Sequence, residues 1–499
     1  MGNCRKNSGN GVRVLLLSRH SVVDLLCTLG YNVCNKKFSR RNSFAVCDMV
    51  IKQGDLFQTT VSSYGSNGEG VAYVGEYTVF VPFTVEGEVV EVRAVYVKKN
   101  ICYAQLTRVL KPSPKRTAAQ CQYYGKCGGC SLQHMSYDEQ LKVKKNIVLS
   151  NLRKIAGVCL DDAEIVASPE IYGYRNKISL PVGGKRGDVR IGMYRSDSHD
   201  IVRCDRCFIT GKWCEDLIAI VKRFLDSEGV IPYNQRTFKG EIRHVVARYV
   251  DDQLLLTLVF NGETNRNFAP LCDMLKSRFK KWGLFVNINT LKNNVITSDV
   301  THHIAGITSI LSKDVNGIVF RLQPDSFFQV NTQCKDLLYA RAKNMIREEG
   351  TEVLIDCFSG IGLLTCAMCS PNYQTYAVEI VKQASEDADK MKELNGIVNL
   401  TNICGDVTEK LPEIMNMVRG KKTALLVDPP RKGLGEKICR TVCDNLPDRI
   451  VYISCDNATL ARDLVWLLPH YTLKEIRLFD LFPHTRHIEV LVCLEKAQN

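Results

Sequence analysis

The sequence has 499 residues, with 66 Lys and Arg against 53 Asp and Glu, which gives a formal net charge of +13. This length exceeds one ordinary hydrophobic core and predicts about three domains, while the charge suits either a nucleic-acid partner or a merely soluble basic protein. The 22 cysteines lie scattered through apolar segments, which argues against a disulfide-stapled secreted chain and for the cytoplasm, and no apolar run reaches the roughly 18 residues of a membrane span.

Residues 1–48 form a basic extension, with eight Lys or Arg against two Asp and little hydrophobic periodicity. The pattern leaves three interpretations open. The segment can be a transit-like extension, an RNA-contacting arm, or sequence upstream of a true start at Met49. We expect it to be poorly ordered.

Residues 49–112 contain five short β-branched runs separated by Gly, Asn and Glu turns. Such spacing predicts a small β-barrel similar to an OB-fold. Basic residues lie on the last runs and just after them, and they mark either a solvated face or an RNA-binding strip. Residues 113–345 mix strand-like runs with amphipathic helices and predict a central α+β domain.

Residues 346–499 alternate apolar strands with helices, which predicts an open, doubly wound sheet whose ligands bind at the carboxyl ends of the strands. The first of these strands runs into DCFSGIGLL, with Gly360 and Gly362 in the turn; Glu379 ends the second, and Asp406 follows the third. Acidic strand ends with a sparse glycine loop suit S-adenosylmethionine better than a dinucleotide, because this cofactor has no pyrophosphate.

Three further residues of the same segment carry reactive side chains. Asp428 begins DPPRKG at the end of the fourth strand, and Cys455 follows the fifth strand in SCDNATLARD. A cysteine at a strand end favours a reactive thiolate over a core residue. Glu489 stands among apolar neighbours in FPHTRHIEV, where desolvation would raise its pKa towards that of a useful base.

These motifs, together with QPDSFFQVN, closely resemble the RNA uracil-5-methyltransferases of the TrmA/RumA type from about residue 51 to the end. The resemblance implies an α/β protein with an N-terminal OB-like barrel (TRAM), a central α+β domain and a Rossmann-like methyltransferase domain. It also implies methylation of C5 of a flipped uridine, with Cys455 adding to C6 and Glu489 removing the C5 proton. The implied cofactor contacts are Gln329, Phe358, Leu363, Glu379, Asp406 and Asp428.

Leu363 and Asp406 depart from the more polar residues that the family often has at these positions. Beside Gln329, the aromatic pair Phe327 and Phe328 either stacks on a base or packs in the core. Gln329 and Asp428 are further expected to hold the edge of the uracil.

The stretch CQYYGKCGGC presents three thiols, which by ligand type suit zinc and an iron-sulfur cluster equally. In ribosomal members of the family such a set joins a later cysteine, so the resemblance implies a [4Fe-4S] cluster on Cys121, Cys127, Cys130 and Cys207, with Cys207 preferred to Cys204. Because transfer-RNA members typically lack barrel and cluster, the expected substrate is 23S ribosomal RNA. Transfer RNA and a non-catalytic RNA-binding or chaperone protein are the alternatives, and a monomer without an obligate protein partner is expected.

Overall fold

The computed structural model describes residues 50–196, 198–347 and 350–498. They form two compact units, the first from residues 50–118 and 134–163, the second from residues 119–133 and 164–498. The extension predicted for residues 1–48 lies outside the described residues. Within the described part of the chain, no helix is both long and apolar enough to cross a bilayer.

The first unit is built on a six-stranded sheet in the order β1-β5-β6-β4-β3-β2, mostly antiparallel with a parallel β4–β6 pair. The strands are β1 (Leu56–Thr60), β2 (Ser63–Tyr64), β3 (Gly70–Val74), β4 (Tyr77–Val81), β5 (Val89–Lys98) and β6 (Ile101–Lys111). Alternate residues point into an apolar core, as the period of a half-buried strand requires. The sequence predicted five strands here and missed β1.

A buried ion pair joins the segment before β5 to the segment after β6. Glu88 is fully buried, and its carboxylate accepts two hydrogen bonds from the Arg116 guanidinium, Nε to Oε1 at 2.5 Å and Nη2 to Oε2 at 2.8 Å. The Val85 amide donates to the same carboxylate at 2.8 Å. Although burial alone would raise the pKa of Glu88, Arg116 and these backbone donors hold it below its usual value.

One helix completes the first unit. Helix α1 (Tyr137–Asn151) begins after Ser136, whose hydroxyl accepts from the Glu139 amide, and runs on into a π-helical turn (Leu152–Ala156). The helical segment ends at Gly157, which adopts a left-handed φ of 68° that favours glycine.

The second unit contains two large sheets. The first has seven strands in the order β10-β9-β8-β11-β12-β13-β14, and two helices pack against it over a continuous apolar core. In chain order the elements are β7 (Glu164–Val166), which belongs to the other sheet, β8 (Lys177–Lys185), β9 (Asp188–Tyr194), β10 (Ile201–Arg203), α2 (Lys212–Ser227), β11 (Ile242–Val250), β12 (Gln253–Phe260), α3 (Ala269–Arg278), β13 (Lys281–Ile288) and β14 (Thr301–Gly306).

The second sheet has the order β19-β18-β17-β20-β21-β23-β22-β7, with parallel pairing from β19 to β21 and an antiparallel β21–β23 pair. A hairpin precedes it, and helices connect most of its strands. The elements are β15 (Ile310–Lys313), β16 (Val319–Leu322), α4 (Thr332–Arg347), β17 (Val353–Cys357), α5 (Leu363–Met368), β18 (Gln374–Glu379), α6 (Lys382–Leu394), β19 (Leu400–Cys404), α7 (Val407–Met417), β20 (Thr423–Val427), α8 (Gly435–Asn445), β21 (Arg449–Ser454), α9 (Asn457–Leu467), β22 (Tyr471–Phe479) and β23 (Glu489–Lys496).

We predict that Glu88→Gln destabilises the first unit by about 3 kcal/mol, because it removes one partner of a buried ion pair. Hydrogen exchange of the amides in β5 and β6 measures this local loss. Glu76→Gln, on the exposed β3–β4 turn, is the matched control and should change exchange by less than about 0.5 kcal/mol. Equal protection in the two variants would contradict a structural role for the pair.

Candidate active site

A cleft of about 680 Å³ lies at one edge of the second sheet. The parallel strands β17 to β21 all present their carboxyl ends there. Strand β23 runs antiparallel to β21, with Val490 opposite Ser454, so its first residue, Glu489, reaches the same edge. The cleft is lined by Phe327, Phe328, Gln329, Val330, Phe358, Gly360, Val378, Glu379, Ile380, Asp406, Val407, Asp428, Pro429, Pro430, Arg431, Lys432, Leu434, Ile438, Cys455, Phe482 and Glu489.

The loop after β17 brings backbone close to this cleft. Phe358, Gly360 and Gly362 all have positive φ, at 74°, 55° and 82°. A side chain at Gly362 would also meet Ala388 of α6, since an added Cβ would lie 2.9 Å from the Ala388 Cβ. The glycine therefore serves a close helix contact as well as the turn.

Glu379, the last residue of β18, is held rigidly at the cleft. Its Oε2 accepts from the Gly360 amide at 2.9 Å and its Oε1 from the Val381 amide at 2.8 Å. Both oxygens retain a lone pair for a further donor. The carboxylate thus has a fixed orientation at the cleft and can accept two further hydrogen bonds.

Two other carboxylates line the cleft in different environments. Asp406 caps α7, where its carboxylate accepts from the Thr408 amide and hydroxyl, both at 2.7 Å, and these bonds lower its pKa. Burial raises the pKa of Asp428 to about 7. Inside β17, burial also raises the pKa of Asp356 to about 7 although the Thr365 hydroxyl donates to it at 2.6 Å.

Cys455 stands directly after β21, half-buried in the cleft. Burial, together with the negative charges of Glu489 and Asp428, raises the pKa of its thiol to about 12, while Arg431 acts in the opposite direction. The sequence suggested a reactive thiolate at this strand end. Burial first, and then two carboxylates from distant parts of the chain, favour the protonated thiol over the thiolate in the structure, and the reactivity of Cys455 stays a prediction.

Glu489 is a deeply buried carboxyl group of the cleft. It is 2% exposed, and its Oε2 has no hydrogen-bond partner among the described residues. Burial and then Asp428 raise its pKa far above the usual value, against a smaller opposing effect of Arg431. A buried carboxylate without a partner is costly in a folded protein and is a strong proton acceptor when ionised.

The loop after β20 is fixed by Asp463 of α9. This buried carboxylate accepts from the Leu434 amide at 2.7 Å, the Gly435 amide at 3.2 Å and the Tyr452 hydroxyl at 2.8 Å. No side chain fits at Gly433, because an added Cβ would lie 2.4 Å from Asp463 Oδ2. The segment after β20, which contains DPPRKG, therefore packs directly against SCDNATLARD.

The aromatic pair at the cleft separates into two roles. Phe327 is 71% exposed and lines the cleft. Phe328 is 3% exposed and stacks on Phe320 with ring centroids 5.1 Å apart. Phe327 is therefore free to meet a ligand, whereas Phe328 is mainly a core residue.

Besides Cys455, five cysteines line a second cavity of about 340 Å³, namely Cys121, Cys127, Cys130, Cys204 and Cys207. Burial raises the pKa of Cys130 to about 12, and the neighbouring thiols Cys207, Cys127 and Cys121 contribute in the same direction. The neighbouring Cys204 thiol lowers the pKa of Cys127 to about 7, against the effect of burial. The predicted ligands thus share one cavity, and their chemistry fits a thiolate-bound metal centre.

These thiols are not arranged as a coordination shell in this structure. Among the described residues, no group of three or more His, Cys, Asp or Glu side chains has metal-binding geometry. The cavity also borders the catalytic cleft, since Arg431, Cys455 and Phe482 line both.

The barrel-like sheet of the first unit presents an aromatic row to solvent. Tyr96 pairs with Tyr103 across β5 and β6, and Tyr103 pairs with Phe80 of β4. The Phe80 and Tyr103 rings stack at 5.3 Å, and the Tyr96 and Tyr103 rings lie 6.2 Å apart. Both tyrosines are about half exposed, and Lys98 follows at the strand end. Exposed rings beside a cation are the groups on which single-stranded bases stack.

Comparison with known proteins decides the family. The model of the tRNA (uracil-5-)-methyltransferase family matches residues 136–497, most of the chain. The chain belongs to the tRNA (uracil-5-)-methyltransferase family. A second model, the TRAM domain of tRNA (uracil(54)-C(5))-methyltransferase, matches residues 57–115.

Individual relatives of the methyltransferase agree. An uncharacterized RNA methyltransferase of Clostridium acetobutylicum is 33% identical over 454 residues, which is 90% of this chain and 98% of the relative. One from Bacillus cereus is 32% identical and covers 89% and 98% of the two chains. The crystal structure of Pyrococcus abyssi tRNA (uracil-54, C5)-methyltransferase with S-adenosyl-L-homocysteine is 27% identical, with a TM-score of 0.71 over 88% of this chain and 99% of that chain.

The predicted fold class is confirmed: this is an α/β RNA methyltransferase with an N-terminal TRAM domain and a C-terminal S-adenosylmethionine-dependent domain. The cleft fits the cofactor. Glu379 offers hydroxyl acceptors, and the remaining wall is largely apolar, as in most small-molecule sites. The bounds of the four segments predicted from the sequence stay a prediction.

Most residues predicted for the active site meet in the cleft. Cys455 and Glu489 line it together with the predicted cofactor contacts Gln329, Phe358, Glu379, Asp406 and Asp428. Leu363 does not. Its side chain is buried in a core cluster that includes Phe328, so the structure gives it no side-chain contact with the cleft.

Two lining residues were missed from the sequence. Arg431 lowers the pKa of both Cys455 and Glu489, against the larger effect of burial. Phe482 lines both cavities. Arg431 lies inside DPPRKG, the motif that also contains Asp428. A search for a cation to balance the carboxylates beside the proposed nucleophile would have identified it. Phe482 carries no such signal.

We predict that Glu489→Gln makes the methyltransferase more stable at pH 8, by about 1–3 kcal/mol. The unfolded glutamate ionises near pH 4.3, whereas the folded carboxyl, with its raised pKa, stays protonated to higher pH. The folded protein therefore binds more protons above that pH, and wild-type stability falls as pH rises. Glutamine removes this loss, so the advantage should disappear near pH 4.

Urea unfolding at pH 5 and pH 8 measures the difference. Glu393→Gln, an exposed position on α6, should show no pH-dependent gain. A Glu489→Gln protein that is equally or less stable than wild type at pH 8 would show that the carboxylate is not strained by burial.

Proposed function

We propose that this methyltransferase transfers a methyl group from S-adenosylmethionine to C5 of uracil in RNA, with Cys455 as the nucleophile and Glu489 as the base. The observation that carries the proposal is the meeting, in one cleft, of a half-buried thiol and a buried carboxylate whose Oε2 has no partner in the described chain. Neither group is needed by a protein that only binds RNA. Both are needed to activate C5 and then restore the ring.

The proposed reaction begins at sulfur. Cys455 gives its proton to solvent and Sγ bonds to C6 of uracil, which makes C5 electron-rich. The cofactor would supply a methyl group on a positively charged sulfur; C5 bonds to that methyl group, the bond from methyl to sulfur breaks, and the neutral thioether leaves. Glu489 in its ionised form then takes the C5 proton, the S–C6 bond breaks with its electron pair returning to Cys455, and the C5–C6 double bond returns. Arg431 favours the thiolate in the first step, against Asp428 and Glu489.

The remaining lining residues have proposed positioning roles. Glu379, Asp406, Phe358 and Gln329 lie where they would contact the cofactor, and Gln329 with Asp428 would hold the edge of the uracil. The backbone of Gln329 is fixed by the Asn176 side-chain amide, which donates to its carbonyl at 3.0 Å. A stacked base cannot enter the cleft, so the uridine must be flipped, and the exposed ring of Phe327 is available to stack on it.

RNA binding by the first unit is proposed to use the aromatic row of Phe80, Tyr96 and Tyr103. Exposed rings offer stacking surfaces to unpaired bases, and Lys98 offers a charge to the backbone. The match to a TRAM domain supports RNA as the partner. In this proposal, the exposed aromatic rings add to the basic residues that the sequence predicted as an RNA-binding strip.

The first candidate substrate is 23S ribosomal RNA, because the resemblance of the cysteine set is to ribosomal members. Transfer RNA is the second candidate, and specific observations favour it. The matched TRAM model and the Pyrococcus structure are both named for transfer-RNA enzymes. The barrel therefore no longer separates the two substrates, and only the cysteine set still points to ribosomal RNA.

A [4Fe-4S] cluster on Cys121, Cys127, Cys130 and Cys207 is proposed for the cysteine cavity. Five thiols around one cavity support it. No step of the methyl transfer needs an electron, so we assign the centre a structural or RNA-positioning role. Cys204 remains the competing fourth ligand, because its thiol already contacts Cys127.

We predict that the purified protein methylates uridine in RNA, and that Cys455→Ala lowers the rate to below about one-thousandth of wild type, as loss of a nucleophile does. Labelled cofactor is incubated with 23S ribosomal RNA fragments or with transfer RNA, and mass spectrometry maps the product. Glu489→Gln should transfer the methyl group but retain a covalent protein–RNA adduct, because the C5 proton is not removed.

Cys159→Ala, a cysteine of the first unit, is the control and should keep full activity. No methyl transfer to either RNA would favour a non-catalytic RNA-binding protein of the same fold. An active Cys455→Ala variant would refute the covalent mechanism, and methylation of transfer RNA alone would select the second substrate.

We predict that anaerobic purification yields a brown protein containing iron and sulfide. Cys207→Ser should lose the colour and Cys204→Ser should keep it. Cys127→Ser should lower folding yield or RNA affinity before it changes the chemical step. A colourless wild-type protein with stoichiometric zinc would refute the iron-sulfur cluster. If Cys207→Ser retains iron and Cys204→Ser does not, the fourth ligand is Cys204 and not Cys207.

A further inference from the structure

A groove of about 520 Å³ lies on the other side of the cysteine loop. Gly128 of that loop forms part of its wall and donates its amide to the Tyr194 carbonyl at 2.9 Å. A side chain at Gly128 would be tight, since an added Cβ would lie 3.1 Å from that carbonyl and the same distance from the Ser196 amide nitrogen. The cysteine loop therefore sets the position of one wall.

Two buried polar groups in this groove lack partners. The Nδ1 of His244 and the Oγ of Ser179 have no hydrogen bond within the described chain, and His244 is 5% exposed. Ser179 and Pro181 face the same side of β8, and Pro181 pairs with His244 of β11. Both polar residues line the groove. A pair of unsatisfied groups on one face points to a ligand with matching polar atoms.

The rest of the groove is aromatic and apolar. The Tyr194 ring meets the His199 ring edge-on at 5.6 Å and the His244 ring at 6.5 Å. The Tyr194 hydroxyl accepts from the Gln235 side-chain amide at 2.6 Å, which orients the ring. Met193 and Ile296 add apolar surface.

The groove also connects with the active site through shared walls. Ser179 and Met193 line the cysteine cavity as well, and that cavity shares Cys455 with the catalytic cleft. The cysteine cavity is thus lined by residues of the groove and by residues of the cleft, which places His244 and Cys455 on two sides of one cavity.

These features match a nucleobase. A base has two flat faces for aromatic and apolar contact and polar atoms along one edge. Burial, with Arg243 nearby, lowers the pKa of His244 to about 4, so the imidazole is neutral at pH 7 and suits an uncharged edge. Arg195 at the groove can meet a phosphate.

We propose that this groove holds one unpaired nucleobase of the substrate RNA, a neighbour of the flipped uridine. The inference rests on the proposed function, because it takes RNA in the cleft as given. Its role is to fix the strand's position, and the residues Ser179, Tyr194 and His244 are positioning residues outside the reaction.

The test measures binding of a fluorescent, short single-stranded RNA with one uridine. In a matched series, each neighbour in turn keeps its ribose but lacks its base. For wild type, removal of one particular base should weaken binding about tenfold, as loss of one stacked base does. In His244→Leu, the intact RNA should bind about tenfold less tightly, and removal of that same base should then change affinity less than about twofold.

Ser179→Ala provides a second variant with little risk to folding, and it should reduce the same penalty without changing the others. His302→Leu, an exposed residue of the same sheet, is the matched control and should keep the wild-type profile. His244→Asn, which retains a polar edge, should restore part of the coupling.

Identical penalties in wild type, His244→Leu and Ser179→Ala would overturn the proposal, as would a wild-type series in which no single base matters. The measurement needs no methyl transfer, so its failure differs from failure of the proposed function. If the enzyme methylates RNA but base removal and the His244 substitution act independently, only the proposed nucleobase site is refuted. If the two changes are coupled but no methyl group is transferred, the groove binds RNA in a protein that is not an active methyltransferase.

Discussion

The carboxylate of Asp463 ties together the two loops that carry the reacting groups. It accepts from the backbone of Leu434 and Gly435, beyond Arg431, and from Tyr452, three residues before Cys455. Since hydrogen bonds to a charged group are the stronger kind, a single fully buried side chain sets the position of the nucleophile against its cation. Two further bonds from α9 reinforce this: Arg462 donates to the Lys432 carbonyl at 2.7 Å, and Thr459 donates to the Arg431 carbonyl at 3.1 Å.

The cleft that results combines buried carboxyl groups. Asp428 and Glu489 line it, Asp356 lies inside the adjoining strand β17, and burial is the main cause that raises the pKa of all three. A positively charged ligand would favour their ionised forms, which is the electrostatic condition that a sulfonium cofactor meets. Activity and stability are therefore opposed at these positions.

The sequence predicted the doubly wound sheet well, because its strands are fully buried and read as continuous apolar runs between helices. It also located the reactive side chains, since each follows an apolar run. It did not predict the pKa of Cys455. That value depends on Glu489 and Asp428, which come from strands 34 and 27 residues away along the chain, counted as 489 − 455 and 455 − 428, and only the pairing order brings them together.

Other differences share this cause. Phe327 and Phe328 are neighbours in the chain, yet Phe320 covers one and leaves the other exposed. Nothing in QPDSFFQVN distinguishes them. Leu363 matches a family position by alignment of motifs, but the start of α5 turns its side chain into the core. Local sequence gives the position of a residue, whereas the packing of remote elements decides the direction of its side chain.

The arrangement of the three cavities indicates how the proposed metal centre would act in the proposed reaction, which transfers no electron. The cysteine cavity shares Cys455, Arg431 and Phe482 with the cleft on one side and Ser179 with the groove on the other. Its wall is a glycine-rich loop, which has little side-chain packing to hold its shape. Covalent ligation of that loop would fix both neighbours at once, so the centre would act on RNA position and not on the chemistry at C5.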